Sequence, residues 1–134
     1  MITPKALFEP ADVEARIVYL SSVVPDARDC FRRLQTLGYR RRKLMEQEGL
    51  DHLECNRLVW LNEEVDRLSA RVEECVGEVE AMGGELVDIE RGEVTFATFL
   101  GGEPAFYVWT PGDPVVLWYR LATEPVGEAH LISE

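Results

Sequence analysis

The residues able to do chemistry in this chain are few and scattered. His52 and Cys55 stand three positions apart, one helical turn, a spacing that presents two metal-binding donors on the same helix face. A closed zinc site takes about four such donors, and the chain holds no second Cys/His pair. The spacing therefore predicts an ordinary helix start, with no metal and no cofactor. Asp88, Glu90 and Glu93 alternate beside a turn. They would chelate a cation only by converging, and strand alternation alone sets solvated acids in this rhythm. His130 is the one other imidazole and stands alone near the end of the sequence. No serine lies in a Gly-x-Ser-x-Gly context, and no nucleophile is spaced from a base in a familiar way. These residues lean away from catalysis and name no reaction.

Charge narrows the partners. The 134 residues carry a formal net charge of −11, which opposes general nucleic-acid affinity. Arg28, Arg32, Arg33, Arg40, Arg41, Arg42 and Lys43 make up seven of the fourteen basic residues, whereas residues 44–134 hold five basic against twenty acidic ones. The run at 40–43 reads either as a phosphate or RNA patch or as a solvated helix end. The second reading is preferred, because cations suit a helix C-terminus, Glu46, Glu48 and Glu54 stand close by, and no glycine-aromatic RNA motif accompanies the run. No apolar run approaches the ~18 residues of a membrane span. No secretory leader is visible, so a cytoplasmic location is expected. Cys30, Cys55 and Cys75, an odd number within helical patterns, fit buried free thiols in a reducing compartment better than disulfides.

The elements that must position these residues begin with the stretch 58–82. Leu58, Leu61, Val65, Leu68, Val72, Cys75, Val79 and Met82 recur at steps of three and four, lining one seam of a helix. That helix is expected over residues 52–82, opened by Asp51 as N-cap with Glu54 as capping-box partner and closed by Gly83-Gly84. An earlier helix carries Val13, Ile17, Leu20, Val24, Phe31 and Leu34 on its stripe, with a kink or a junction expected at residues 21–25 because Pro25 removes a backbone donor. A turn at residues 46–51 makes the two an antiparallel hairpin, with Arg32 and Arg33 facing Glu63, Glu64 and Asp66. After Gly84 the period changes to two. Strands are expected over 93–100, 105–110 and 115–121, with a further short one over 85–90. The class is α+β: a long antiparallel helical hairpin packed with a small C-terminal antiparallel meander of three or four strands. One domain spans 1–134, with the hairpin over 10–82, the meander over 85–121 and a tail over 122–134. Trp109 and Phe96 are expected in the core between sheet and helices.

The seam also suggests a partner. A first helix weakened by Pro25 and Gly38 is expected to leave part of it uncovered, so a two-fold homodimer along the second helix would finish a four-helix bundle. Leu58, Leu61, Val65, Leu68 and Val72 would form its interface, and the flanking Arg57, Glu64, Arg71 and Glu78 would pair between antiparallel copies.

The run Met82-Gly-Gly-Glu-Leu-Val-Asp-Ile-Glu-Arg-Gly-Glu-Val-Thr-Phe-Ala97, then Gly102, Ala105-Phe-Tyr-Val-Trp109 and Gly112-Asp113, resembles the bacterial family catalogued as domain of unknown function 2203. Phe8, the Ala15-Arg16 pair and Asp26 extend the likeness into the first helix. The resemblance implies a long charged hairpin beside a small sheet, in a bacterial cytoplasmic setting, and it implies no reaction. Three positions depart from the family pattern: Thr95 stands for an aspartate, Tyr119-Arg120 for Trp-His, and Glu128 for an arginine. Taken together, these features describe a non-catalytic interaction or scaffold module that self-associates through its helices. The alternative is a small-molecule or metal-binding module, enzymatic or not, with a pocket between the aromatic sheet face and the helices.

Overall fold

The computed structural model describes residues 7–132. Phe8 donates its N–H to the Ala97 carbonyl at 2.8 Å and its carbonyl accepts from the Thr98 hydroxyl at 2.8 Å, so the chain at Phe8 lies along the sheet. Helix α1, Pro10–Glu14, follows, with proline at its first turn and the Asp12 carboxylate accepting from the Glu9 N–H at 2.8 Å. Helix α2 then runs Ile17–Met45 and passes through Pro25 without ending. The expected junction at 21–25 is absent, and the break falls at Ala15-Arg16 instead. Leu20, Val24 and Ala27 around the proline are wholly buried, and that packing outweighs the one hydrogen bond Pro25 cannot make. Arg16 fixes the actual break by donating to the Asp12 carbonyl at 2.6 Å and to the Met82 carbonyl at 2.8 Å. It thereby supplies a donor, and a cation, to the last turn of the next helix.

Helix α3, His52–Ala81, opens on the expected box: Asp51 accepts from the Glu54 N–H at 2.8 Å, and Glu54 accepts from the Asp51 N–H at 3.2 Å. It leaves through Gly83, whose φ of +89° favours glycine; a Cβ there would also meet the Phe8 ring at 2.5 Å. Five strands follow, β1 Glu85–Asp88, β2 Glu93–Leu100, β3 Glu103–Trp109, β4 Trp118–Leu121 and β5 His130–Leu131, in an antiparallel sheet ordered β1-β2-β3-β4-β5. The fifth strand lies in the segment read as a tail.

The register separates two faces. Val94 opposite Trp109 and Phe96 opposite Tyr107 look toward the helices, forming a core with Leu20, Val24, Cys75 and Val79. Trp109 and Phe96 have no exposed surface, as expected of them. A second core of Leu37, Leu44, Leu61, Val65 and Leu68 holds the far end of the hairpin together. The other sheet face buries polar groups. Arg120 and Glu93 meet there at 3.1 Å, each almost fully enclosed, and Arg120 also donates to the Glu128 carbonyl at 3.4 Å. No helix among the described residues is long and apolar enough to cross a membrane.

Candidate functional site

The hairpin's free end carries a well-formed depression. Gly49, at φ +65°, lets the chain reverse, and the Asp51 cap starts α3 directly afterwards, so the last turns of α2 and the first turns of α3 lie side by side. Between them runs a groove of about 670 Å³. Leu44 and Leu61 form its apolar floor, Tyr39 and Trp60 its aromatic rims, and Arg40, Lys43 and Arg57 its charged sides. No carboxylate among the described residues lines it. Tyr39 is 53% exposed and Trp60 46%, and Arg42 and Lys43 lie 5.6 and 5.5 Å from the Tyr39 ring. The basic run is therefore divided between the groove and the outside of one tyrosine. Its one ion pair among the described residues, Lys43 with Glu46 at 3.8 Å, is exposed on both sides and contributes little.

The seam residues lie within the chain's own hairpin. Leu61, Val65, Leu68 and Val72 are buried within one chain, Leu58 is half-buried, and α2 is the element packed along them. The premise that α2 leaves the seam open is corrected: α2 is continuous over 29 residues, long enough to cover it. Of the flanking charges, Arg57 lines the groove, Glu64 pairs with Arg67 at 2.7 Å, and Arg71 pairs with Asp26 at 2.6 Å and Glu74 at 3.2 Å. Glu78 has one carboxylate oxygen enclosed without a hydrogen-bond partner. Arg32 and Arg33 form no ion pair with Glu63, Glu64 or Asp66 among the described residues, since Glu64 turns to its own helix.

The other sequence candidates disperse. His52 and Cys55 are both exposed and share no ligand cluster. Asp88 binds the Arg91 N–H, Glu90 accepts from Gln35, and Glu93 faces Arg120, so the three acids diverge. Cys30 and Cys75 both lie 3.9 Å from the Asp26 carboxylate, and burial pushes each thiol above its ordinary value.

Two further features lie at the sheet's far end. A groove of about 460 Å³ runs between Pro10 and the aromatic face, with Tyr107, Tyr119, Leu100 and Ile132 along it. Beside it, the His130 ring packs at a tilt against Tyr119 with ring centres 5.2 Å apart and lies 2.6 Å from the Glu124 carboxylate. That carboxyl is held below its usual range by the His130 hydrogen bond first and the Leu121 N–H second.

A family model described as an uncharacterized conserved protein (DUF2203) matches residues 6–128. The chain belongs to that family. No curated protein and no solved structure matches it. The DUF2203 match takes in the hairpin and strands β1 to β4, and it stops short of β5. Thr95 and Arg120 are both buried on the sheet face turned away from the helices, and the Glu128 carbonyl accepts from Arg120. Glu93 supplies the charge that Arg120 requires there, so this DUF2203 chain fills the place with a closed ion pair.

Proposed function

We propose that this DUF2203 protein is a non-catalytic interaction module whose hairpin end docks an acidic, partly apolar segment of another protein. One observation carries the reading: in a chain of net charge −11, three cations and two exposed aromatics share one groove with no acid among the described residues of its lining. Tyrosine, tryptophan and arginine are the residues that dominate binding energy at interfaces, and apolar side chains of a partner would reach Leu44 and Leu61 between them. The cations select the partner's sign. A short acidic segment needs only this end of the molecule, whereas a nucleic-acid strand running on from it would meet the acidic remainder. A two-fold dimer through the same groove would set its three cations against themselves, which disfavours a second copy as the occupant.

Titration with a synthetic peptide alternating glutamate with leucine and phenylalanine tests this, with Trp60 emission as readout. Saturable binding that weakens with salt and is lost in the Arg40→Glu/Arg57→Glu double variant is expected. Absence of binding, binding indifferent to that variant, or tighter binding of single-stranded RNA than of the peptide would overturn it. The alternative, a small-molecule site on the aromatic sheet face, is favoured by the groove along Tyr107 and Tyr119. Quenching of Trp60 by a ligand would separate the two, because Trp60 lines only the hairpin groove.

A further inference from the structure

Metal-binding donors converge at one place among the described residues, and it is far in the fold from the hairpin groove. The loop from β4 to β5 makes two successive turns, closed by Glu124 N–H to the Leu121 carbonyl at 3.0 Å and by Glu128 N–H to the Pro125 carbonyl at 3.1 Å. Gly127, at φ +100°, supplies the left-handed residue inside the second turn. Strand β5 then pairs back on β4 with His130 opposite Tyr119. This path gathers Glu124, Glu128 and His130 so that one donor atom of each lies within 4.8 Å of the others.

We propose that Glu124, Glu128 and His130 form a binding site for a first-row divalent transition cation of the zinc type. The group is more than crowded carboxylate, because it contains an imidazole nitrogen, and that nitrogen, Nε2, is the ring atom directed at the Glu124 Oε2 oxygen, 2.6 Å away. One nitrogen with two carboxylate oxygens suits zinc and its neighbours in the first row, and three protein donors leave positions for water. Calcium would need about 6–8 oxygens, and magnesium avoids imidazole.

Both principal ligands are held from behind. Glu124 Oε1 accepts the Leu121 N–H at 2.8 Å, which leaves Oε2 directed at the site, and the Tyr119 ring supports the imidazole. Such outer contacts fix ligand orientation before the ion arrives. Metal bonds of about 2.0–2.2 Å would replace the direct His130 to Glu124 hydrogen bond, opening that pair slightly while Glu128 swings in. Glu128 is exposed and free to rotate. The matched family stretch ends at residue 128, so His130 lies beyond it.

Isothermal titration of the full chain with Zn²⁺ in a non-chelating buffer tests the site. One equivalent is expected to bind, and His130→Ala or Glu124→Gln is expected to weaken it by at least about tenfold, the range seen even for outer-sphere losses. Glu128→Gln alters an exposed side chain that holds no strand together, so it reads the site even if β5 loosens in the His130 variant. His52→Ala and Cys55→Ser should bind as the parent does. Co²⁺ in place of Zn²⁺ should give visible bands without a thiolate band. No heat of binding at micromolar Zn²⁺, affinity retained in both the His130→Ala and Glu128→Gln variants, or a thiolate band that disappears with Cys55→Ser would each overturn the proposal.

Discussion

Arg71 on α3 reaches across the hairpin and donates from Nε to Asp26 Oδ2 on α2 at 2.7 Å, and a terminal nitrogen of the same guanidinium pairs with that oxygen at 2.6 Å. The hydrogen bond to Asp26 is the main reason the Arg71 guanidinium holds its proton even more firmly than usual. Both side chains keep more than a third of their surface in water, 35% for Arg71 and 43% for Asp26, so solvent screens most of the attraction. A double-mutant cycle with Asp26→Ala and Arg71→Ala is therefore expected to give only the weak coupling of an exposed ion pair. A coupling as strong as that of a buried pair would show that the pair is sheltered in solution.

Trp109 is the residue whose loss should be felt most. It is wholly buried between sheet and helices, and its indole N–H donates to the Asp113 carbonyl at 2.9 Å, closing the turn after β3. Trp109→Ala removes a large apolar side chain and frees that carbonyl, an expected cost of about 3–5 kcal/mol. Chemical denaturation measures it, and an unchanged midpoint would contradict the packing described.

What could be read beforehand followed the range of the interaction. The Asp51 and Glu54 box is local in sequence and was legible, as were the bounds of β2 and the burial of Trp109 and Phe96. The break at Ala15-Arg16 was not, because the carbonyl that Arg16 caps belongs to Met82, 66 residues away. Pro25 is a strong local signal, but the buried neighbours that hold α2 together across it come from other elements. Strand β5 has only two residues, too few for a period of two to be seen. The meeting of Glu93 with Arg120 needs the strand register, and the gathering of Glu124, Glu128 and His130 needs two turns and a strand pairing. The hairpin groove needs both helices: its α2 cations were visible as a run, but Arg57 and Trp60 join them only when the chain folds back.

The thiols give a dependence on alkaline pH. Cys75 is raised above the ordinary thiol value of 9.0 by burial foremost, the nearby Arg71 charge offsetting part of this and the Asp26 charge adding to it; Cys30 is raised by burial and then by Asp26. The unfolded chain loses these protons at lower pH than the folded one. The folded state is thus favoured in full below about pH 9, and this contribution is lost as pH rises through and beyond that value. Melting temperature in a pH series from 7 to 10.5 should fall on the alkaline side, and fall less in a Cys30→Ala/Cys75→Ala variant compared with its own value at pH 7. Equal alkaline slopes for both proteins would assign the loss to other groups.

Leu68 decides between the two uses of the α3 seam. It is 2% exposed and packs with Leu37, Leu61 and Val65 in the hairpin's own core, where α2 already covers it. An interface residue changed to glutamate would split a dimer and leave each chain folded. A core residue so changed must hold an unpaired carboxylate in an apolar surround or open the hairpin around it, and either costs several kcal/mol. Leu68→Glu is accordingly expected to lower the melting temperature sharply and to leave the folded fraction at the mass of the parent. Light scattering and thermal unfolding of the same samples measure both quantities. A parent of twice 15.2 kDa that becomes a stable 15.2 kDa species on Leu68→Glu would show that the seam is shared between chains. The covered seam predicts the opposite, with destabilisation felt first in α2 and α3 because all the fully buried residues of this second core come from them.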